Sequence, residues 1–177
     1  MTNILTQDEL VRVRRLFAES DIRDLLSAYT DAVDWADWQA MDRIFWPDAI
    51  LDYGFCKGDQ TTVMPVIVAL EESYRRRLHM FGMPRIHLNG DQARADACSV
   101  IVTRTDNDGG GVDDTFWGRY LFTAERRGDV WRLSSLTYLL NLIDSRQRDS
   151  DDRDGPVIMA DDLSPSHPHA PKTAASH

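Results

Sequence analysis

The spacing of apolar residues changes once along this chain, and that change decides the class of fold it can adopt. From Thr6 to about Tyr74 most apolar positions recur at helical intervals. From Pro84 to Ile143 they alternate over long runs, as in strands. Thr6-Gln7-Asp8-Glu9 has capping-box spacing, and Leu10, Val13, Leu16 and Phe17 follow it at helical intervals. A second helix is expected from Ser20 or Asp21, with the stripe Ile22, Leu25, Leu26, Tyr29 and Val33. A short third helix should follow Asp37, carrying Trp38, Met41, Ile44 and Phe45 and stopping at Trp46-Pro47-Asp48. Residues 49–53 read as a short strand and 54–58 as a turn. Thr61 or Thr62 then opens a helix with Val63, Val66, Ile67, Leu70 and Tyr74 facing in. Strands are expected over 84–88, 93–105, 115–126 and 130–143, joined by an Asn89-Gly90 turn, a loop over 106–114 and an Arg127-Gly128-Asp129 turn. Helices first and long antiparallel strands later mean an α+β fold. The helices pack on one face of a strongly curved, mixed but mostly antiparallel sheet, making a cone-shaped barrel with one open mouth. Such a concavity suits a small molecule.

A chain of 177 residues is long enough for one well-buried core. The body is expected to span residues 1–144. Residues 145–177 hold four of the seven prolines and three of the five histidines, with little apolar periodicity, and read as an extended acidic tail. With 20 Lys and Arg against 29 Asp and Glu, the net charge of −9 argues against nucleic acid and anionic membrane as partners. No apolar run is long enough to cross a bilayer, and the first ten residues lack the pattern of a secretory signal. Cys56 and Cys98 form no metal or redox motif, so a cytoplasmic location is the expectation.

Phosphate loops, dinucleotide fingerprints, nucleophile elbows and zinc motifs are absent from the sequence. Gly109-Gly110-Gly111, flanked by Asp106, Asp108, Asp113 and Asp114, would repel a phosphate and reads as a solvated hairpin loop. Two histidines lie in the body. His87 alternates with Ile86 and Leu88 and should face solvent beside Arg85 and Asn89. His79, in Arg77-Leu78-His79-Met80-Phe81-Gly82, lies between a helix and the first long strand, where it can be aimed at a pocket mouth. Its proton affinity suits general acid/base work, given a partner that fixes its tautomer. Asp34, between Val33 and Trp35 at the end of an apolar stripe, is the candidate partner. Tyr29 precedes it by five residues, about 140° around a helix, so the two share a face only if the helix loosens.

Ile22 to Tyr29, Ala32-Val33-Asp34 and Phe45 to Ala49 resemble the opening of the SnoaL-like proteins. Leu78 to Pro84, Gly90 to Ala93, Gly118-Arg119-Tyr120 and Trp131-Arg132-Leu133 continue the resemblance over roughly residues 8–143. It implies the nuclear-transport-factor-2-like cone. Within that superfamily the Asp34 and His79 positions resemble the dyad of scytalone dehydratase, bile-acid 7α-dehydratase and hexachlorocyclohexane dehydrochlorinase, and Tyr29 resembles the tyrosine of the bile-acid enzyme. The resemblance therefore implies elimination without metal or cofactor: His79 takes the proton, Asp34 orients it and Tyr29 assists an oxygen. Cationic or acidic residues of those relatives correspond here to Leu136, to Leu139 or Leu140, and to Ile101, which implies a more apolar pocket. Trp46, Tyr53, Phe81, Trp117, Tyr120 and Tyr138 are candidate lining residues for a small hydrophobic or aromatic substrate, although strand parity forbids all of them facing in. The same apparatus serves an isomerase or polyketide cyclase, and the same cone a non-catalytic dioxygenase β subunit. A homodimer or homotrimer is expected.

Overall fold

A computed structural model describes residues 5–107 and 110–149. Helix α1 (Gln7–Asp34) is followed by a 3₁₀ turn (Trp38–Ala40), α2 (Met41–Ile44), β1 (Phe45–Asp52), β2 (Lys57–Asp59) and α3 (Gln60–Ser73). Then come β3 (Arg76–Phe81), β4 (Arg85–Asn89), β5 (Gln92–Asn107), β6 (Gly110–Arg127) and β7 (Val130–Asp149). Seven strands form one mixed sheet in the order β2-β1-β7-β6-β5-β3, with β4 also on β5. Only the β1–β7 pair runs parallel among the described residues. Register shifts at Trp117/Gly118 and Thr123/Ala124 break the long β6–β7 ladder, and bulges of this kind bend a sheet. The sheet curves around the helices without closing on itself, so the α+β cone holds but its barrel is open.

Strand parity sorts the inner face from the outer. Ala93, Ala95, Ala97, Ser99, Ile101 and Thr103 of β5 are buried in strict alternation, as are Tyr120, Phe122 and Ala124 of β6. On α1, Ile22, Leu26, Tyr29 and Val33 form the matching buried stripe. Fully burying each such large side chain stabilises the fold by roughly 1.5–3 kcal/mol.

Several expectations shift. The capping box forms, with Thr6 Oγ1 accepting from the Glu9 amide at 3.3 Å and Glu9 Oε2 accepting from the Thr6 amide at 2.7 Å. No break follows at Ser20 or Asp21, because neither residue forbids helical backbone, and α1 runs unbroken to Asp34. In its first half Leu16 and Phe17 are exposed, not inward. Asp59 caps α3 by accepting from the Thr62 amide at 2.9 Å. The buried face of α3 is Val63, Ile67 and Glu71, while Val66 points out. The residues around His79 form a strand, β3. The expected loop over 106–114 is mostly ladder: Asp113 takes a two-pronged bond from Arg104 at 2.7 and 2.8 Å, Asp114 accepts from Ser145, and Asp106 pairs with Arg75. β7 continues through Asp149, so the first residues assigned to the tail are strand; the rest of the tail lies outside the described residues. Among the described residues no helix is long and apolar enough to cross a membrane.

Candidate active site

Helix α1 ends in a Schellman motif. The Ala36 amide bonds the Val33 carbonyl at 3.2 Å, the Asp37 amide bonds the Ala32 carbonyl at 2.9 Å, and Ala36 sits at φ 54° in the left-handed region. This abrupt end leaves Asp34 in the last turn, against β3. Carbonyl dipoles at a helix C-terminus do not favour a carboxylate. Asp34 is held instead by β3: the His79 amide lies 3.0 Å from each carboxylate oxygen, and His79 Nδ1 lies 2.8 Å from Oδ1. With Asp34 ionised, Nδ1 carries the proton and Nε2 keeps its lone pair. The His79 side chain is 2% exposed and that of Asp34 15%.

Parity on β3 explains the burial. Leu78 and Met80 face out, while Arg77, His79 and Phe81 face in, opposite Thr103, Ile101 and Ser99 of β5. Arg77 donates from Nε to the Val33 carbonyl at 2.8 Å and from Nη1 to the Glu71 carbonyl at 2.7 Å. It thus ties the C-terminal ends of α1 and α3 together beside His79, a favourable place for a cation.

That tie brings in Glu71, which was not among the sequence candidates. Glu71 Oε1 lies 3.9 Å from His79 Nε2, on the side away from Asp34, and Oε2 lies 3.9 Å from Arg77 Nε. Removal from water raises the proton affinity of Glu71 above the usual carboxylate range. His79 and Arg77 oppose that rise, and Asp34 adds to it. The signal in the sequence is the spacing Val63, Ile67, Glu71, a carboxylate in line with two inward positions.

Beyond Phe81 the inner wall is aromatic. Tyr29 stacks on Phe81 at 6.2 Å and meets Phe45, Tyr120 and Phe122 at 5.8–6.0 Å. Its hydroxyl lies 2.9 Å from that of Tyr53. Burial raises the proton affinity of Tyr29, Tyr53 and Tyr120 above that of a free phenol, so they stay protonated and can donate hydrogen bonds. Tyr138 faces Tyr120 at 4.8 Å. Tyr29 reaches this wall without any loosening of α1.

Six of the sequence candidates therefore face one interior: Asp34, His79, Tyr29, Tyr53, Phe81 and Tyr120. Tyr138 borders it. Two do not line it. Trp46 of β1 points away from this interior, its indole nitrogen donating to the Glu125 carbonyl at 3.0 Å and its ring flanked by Arg127 and Arg132. Trp117 falls on the outer face by parity, opposite Val100 and Leu142, and is 45% exposed. His87 is exposed on the outer face, as expected, beside Arg94. Among the described residues, Glu71 Oε2, Ser99 Oγ, Thr103 Oγ1 and Tyr138 Oη are buried and make no hydrogen bond. Leu136 and Ile101 are buried apolar residues of the inner face. Among the described residues no three His, Cys, Asp or Glu side chains are grouped to hold a metal ion.

Residues 14–137 match the model of the SnoaL-like domain. No curated protein matches the chain by sequence. Solved structures do match. A hexachlorocyclohexane dehydrochlorinase from Novosphingobium barchaimii is 17% identical, with TM-score 0.68, over 76% of this chain and 94% of that one. A scytalone dehydratase-like protein from Novosphingobium aromaticivorans is 13% identical, with TM-score 0.63, over 80% and 97%. A nuclear transport factor 2-like superfamily protein from Salmonella enterica is 16% identical, with TM-score 0.64, over 72% and 94%. At these identities the structural matches establish the fold.

Proposed function

For a chain that belongs to the SnoaL-like family, we propose a lyase that needs no cofactor and acts on a small hydrophobic or aromatic substrate through Asp34 and His79. The observation that carries this reading is the 2.8 Å contact between Asp34 Oδ1 and His79 Nδ1 in a buried setting. Asp34 fixes the tautomer and offsets the charge that His79 acquires when Nε2 takes a proton next to a carbonyl. The paired phenols of Tyr29 and Tyr53 receive the developing oxygen charge, as hydrogen-bond donors do best where water is excluded. The electron pair of the broken C–H bond then expels a hydroxyl from the neighbouring carbon. In the alternative cleavage Nε2 takes the proton of the β-hydroxyl instead, the O–H pair becomes the C=O of a small aldehyde, and the C–C pair passes into an enolate that the imidazolium reprotonates at carbon. The neighbours described as dehydrochlorinase and scytalone dehydratase support an elimination. Ser99 and Tyr138 offer further unpaired hydroxyls to a substrate oxygen, and the aromatic wall, with Leu136 and Ile101, favours an apolar body.

The test is a mass screen of β-hydroxycarbonyl compounds, 4-hydroxy-4-phenylbutan-2-one among them, with the purified protein. Loss of water or of an aldehyde fragment is expected. His79→Ala and Asp34→Asn should each cut turnover by about two to four orders of magnitude while circular dichroism is unchanged. Turnover retained in both folded variants refutes the assignment.

A further inference from the structure

Among the described residues Glu71 is the one buried carboxylate, and the elimination just described leaves it without a task. Burying a carboxylate is costly unless its charge is compensated. Compensation here is loose: Arg77 Nε and His79 Nε2 both lie 3.9 Å away, and Oε2 accepts no hydrogen bond from the described residues. The groups facing it are His79 and Arg77 from β3, Asp34 from α1, Tyr53 after β1, Tyr120 from β6 and Tyr74 after α3. His79 therefore has a carboxylate at each ring nitrogen, one at hydrogen-bond distance from Nδ1 and one held off from Nε2.

We propose that Glu71 is a proton-relay residue behind His79, carrying the abstracted proton from Nε2 to the departing oxygen. The inference rests on the lyase reading above. The substrate C–H bond breaks, its proton goes to Nε2, and its electron pair becomes the new C=C bond. The imidazolium, bonded to Asp34 at Nδ1, passes the Nε2 proton to Glu71 Oε1. That transfer needs the 3.9 Å gap to close by about 1 Å. Neutral Glu71 protonates the hydroxyl as its C–O bond breaks, and water leaves. His79 is again neutral and Glu71 again a carboxylate, with no net gain or loss of protons by the protein. The relay gives the proton a short path inside a wall that excludes solvent.

The test follows the ring nitrogens of His79 by NMR in ¹⁵N-histidine-labelled protein over about pH 4–9, in the wild type and in Glu71→Gln. The wild-type Nε2 resonance should carry an inflection from Glu71 that is missing in the variant, while the Nδ1–H signature of the Asp34 contact persists in both. A Glu71 that only braces Arg77 would leave the Nε2 resonance the same in both proteins, and that result overturns the relay. With any compound turned over in the mass screen, Glu71→Gln should lower kcat about 100-fold, leave KM unchanged and alter the pH profile, and Glu71→Asp should restore part of the rate. An inactive His79→Ala beside a fully active Glu71→Gln overturns the relay and leaves the lyase reading standing. An active His79→Ala removes both.

Discussion

The phenol cluster makes a prediction about order as well as size. Tyr29 is its centre: its hydroxyl bonds that of Tyr53 at 2.9 Å and interacts with that of Tyr120. Tyr53 has its hydroxyl contact with Tyr29 alone among the three. A net hydrogen bond contributes about 1 kcal/mol, and a buried hydroxyl left without a partner costs about 1–3 kcal/mol. Tyr29→Phe strands two hydroxyls in an apolar wall and should destabilise the fold by about 2–4 kcal/mol. Tyr53→Phe leaves Tyr29 with Tyr120 and should cost about 1 kcal/mol. In the Tyr29→Phe background, Tyr53→Phe should cost nothing or restore stability, because it removes a hydroxyl already unpaired. Equilibrium urea unfolding of the four proteins, followed by circular dichroism, measures all of these. Additive costs, or a larger cost for Tyr53→Phe than for Tyr29→Phe, would refute the assignment of Tyr29 as the centre.

Two further outcomes concern packing and pH. A methyl group at Gly118 would lie 2.7 Å from the Leu139 carbonyl oxygen and from Cε2 and Oη of Tyr138. Gly118→Ala should therefore lower stability by about 1–3 kcal/mol, read as a lower Tm, and adding Tyr138→Leu should recover only part, since the carbonyl clash stays. Burial holds the proton affinity of Glu71 above its unfolded value. Such a carboxyl favours folding while protonated, and its contribution is lost as pH rises from the unfolded value through the folded one. Glu71→Gln should thus gain on the wild type as pH rises above about 4, the unfolded carboxyl's range. A stability difference that stays constant with pH would exclude this.

The sequence exposes what is local and hides what depends on partners far along the chain. Asp34 was legible because an acid between Val33 and Trp35 interrupts an apolar stripe, and His79 because the body holds only two histidines and the other alternates onto an exposed face. Their meeting was not legible, because it depends on where α1 stops relative to β3. Ala36 in a left-handed conformation leaves no glycine to mark that stop. Glu71 was hidden because the inward face of α3 is read from apolar residues alone, Val63, Val66, Ile67, Leu70 and Tyr74, whereas the buried face consists of Val63, Ile67 and the carboxylate one turn further on. The hairpin acids read as a solvated loop because Arg104, Arg75 and Ser145, which bind them, are brought close only by strand register. Trp46 and Trp117 read as lining because aromatic character says nothing about which face of a strand a residue occupies.

The parallel pairing of β1 with β7 has a consequence for assembly. Phe45 lies beside Leu133 and Asp52 beside Thr137, so β1, which has β2 at hand early, gains its second neighbour only once β7 has been synthesised. The wall carrying Tyr53 cannot be seated while the nascent chain still lacks its last strand, and closing so large a loop is entropically slow. During that interval the first helix must shelter its apolar stripe by other means, which makes the emerging chain, more than the finished one, the form at greatest risk of aggregation.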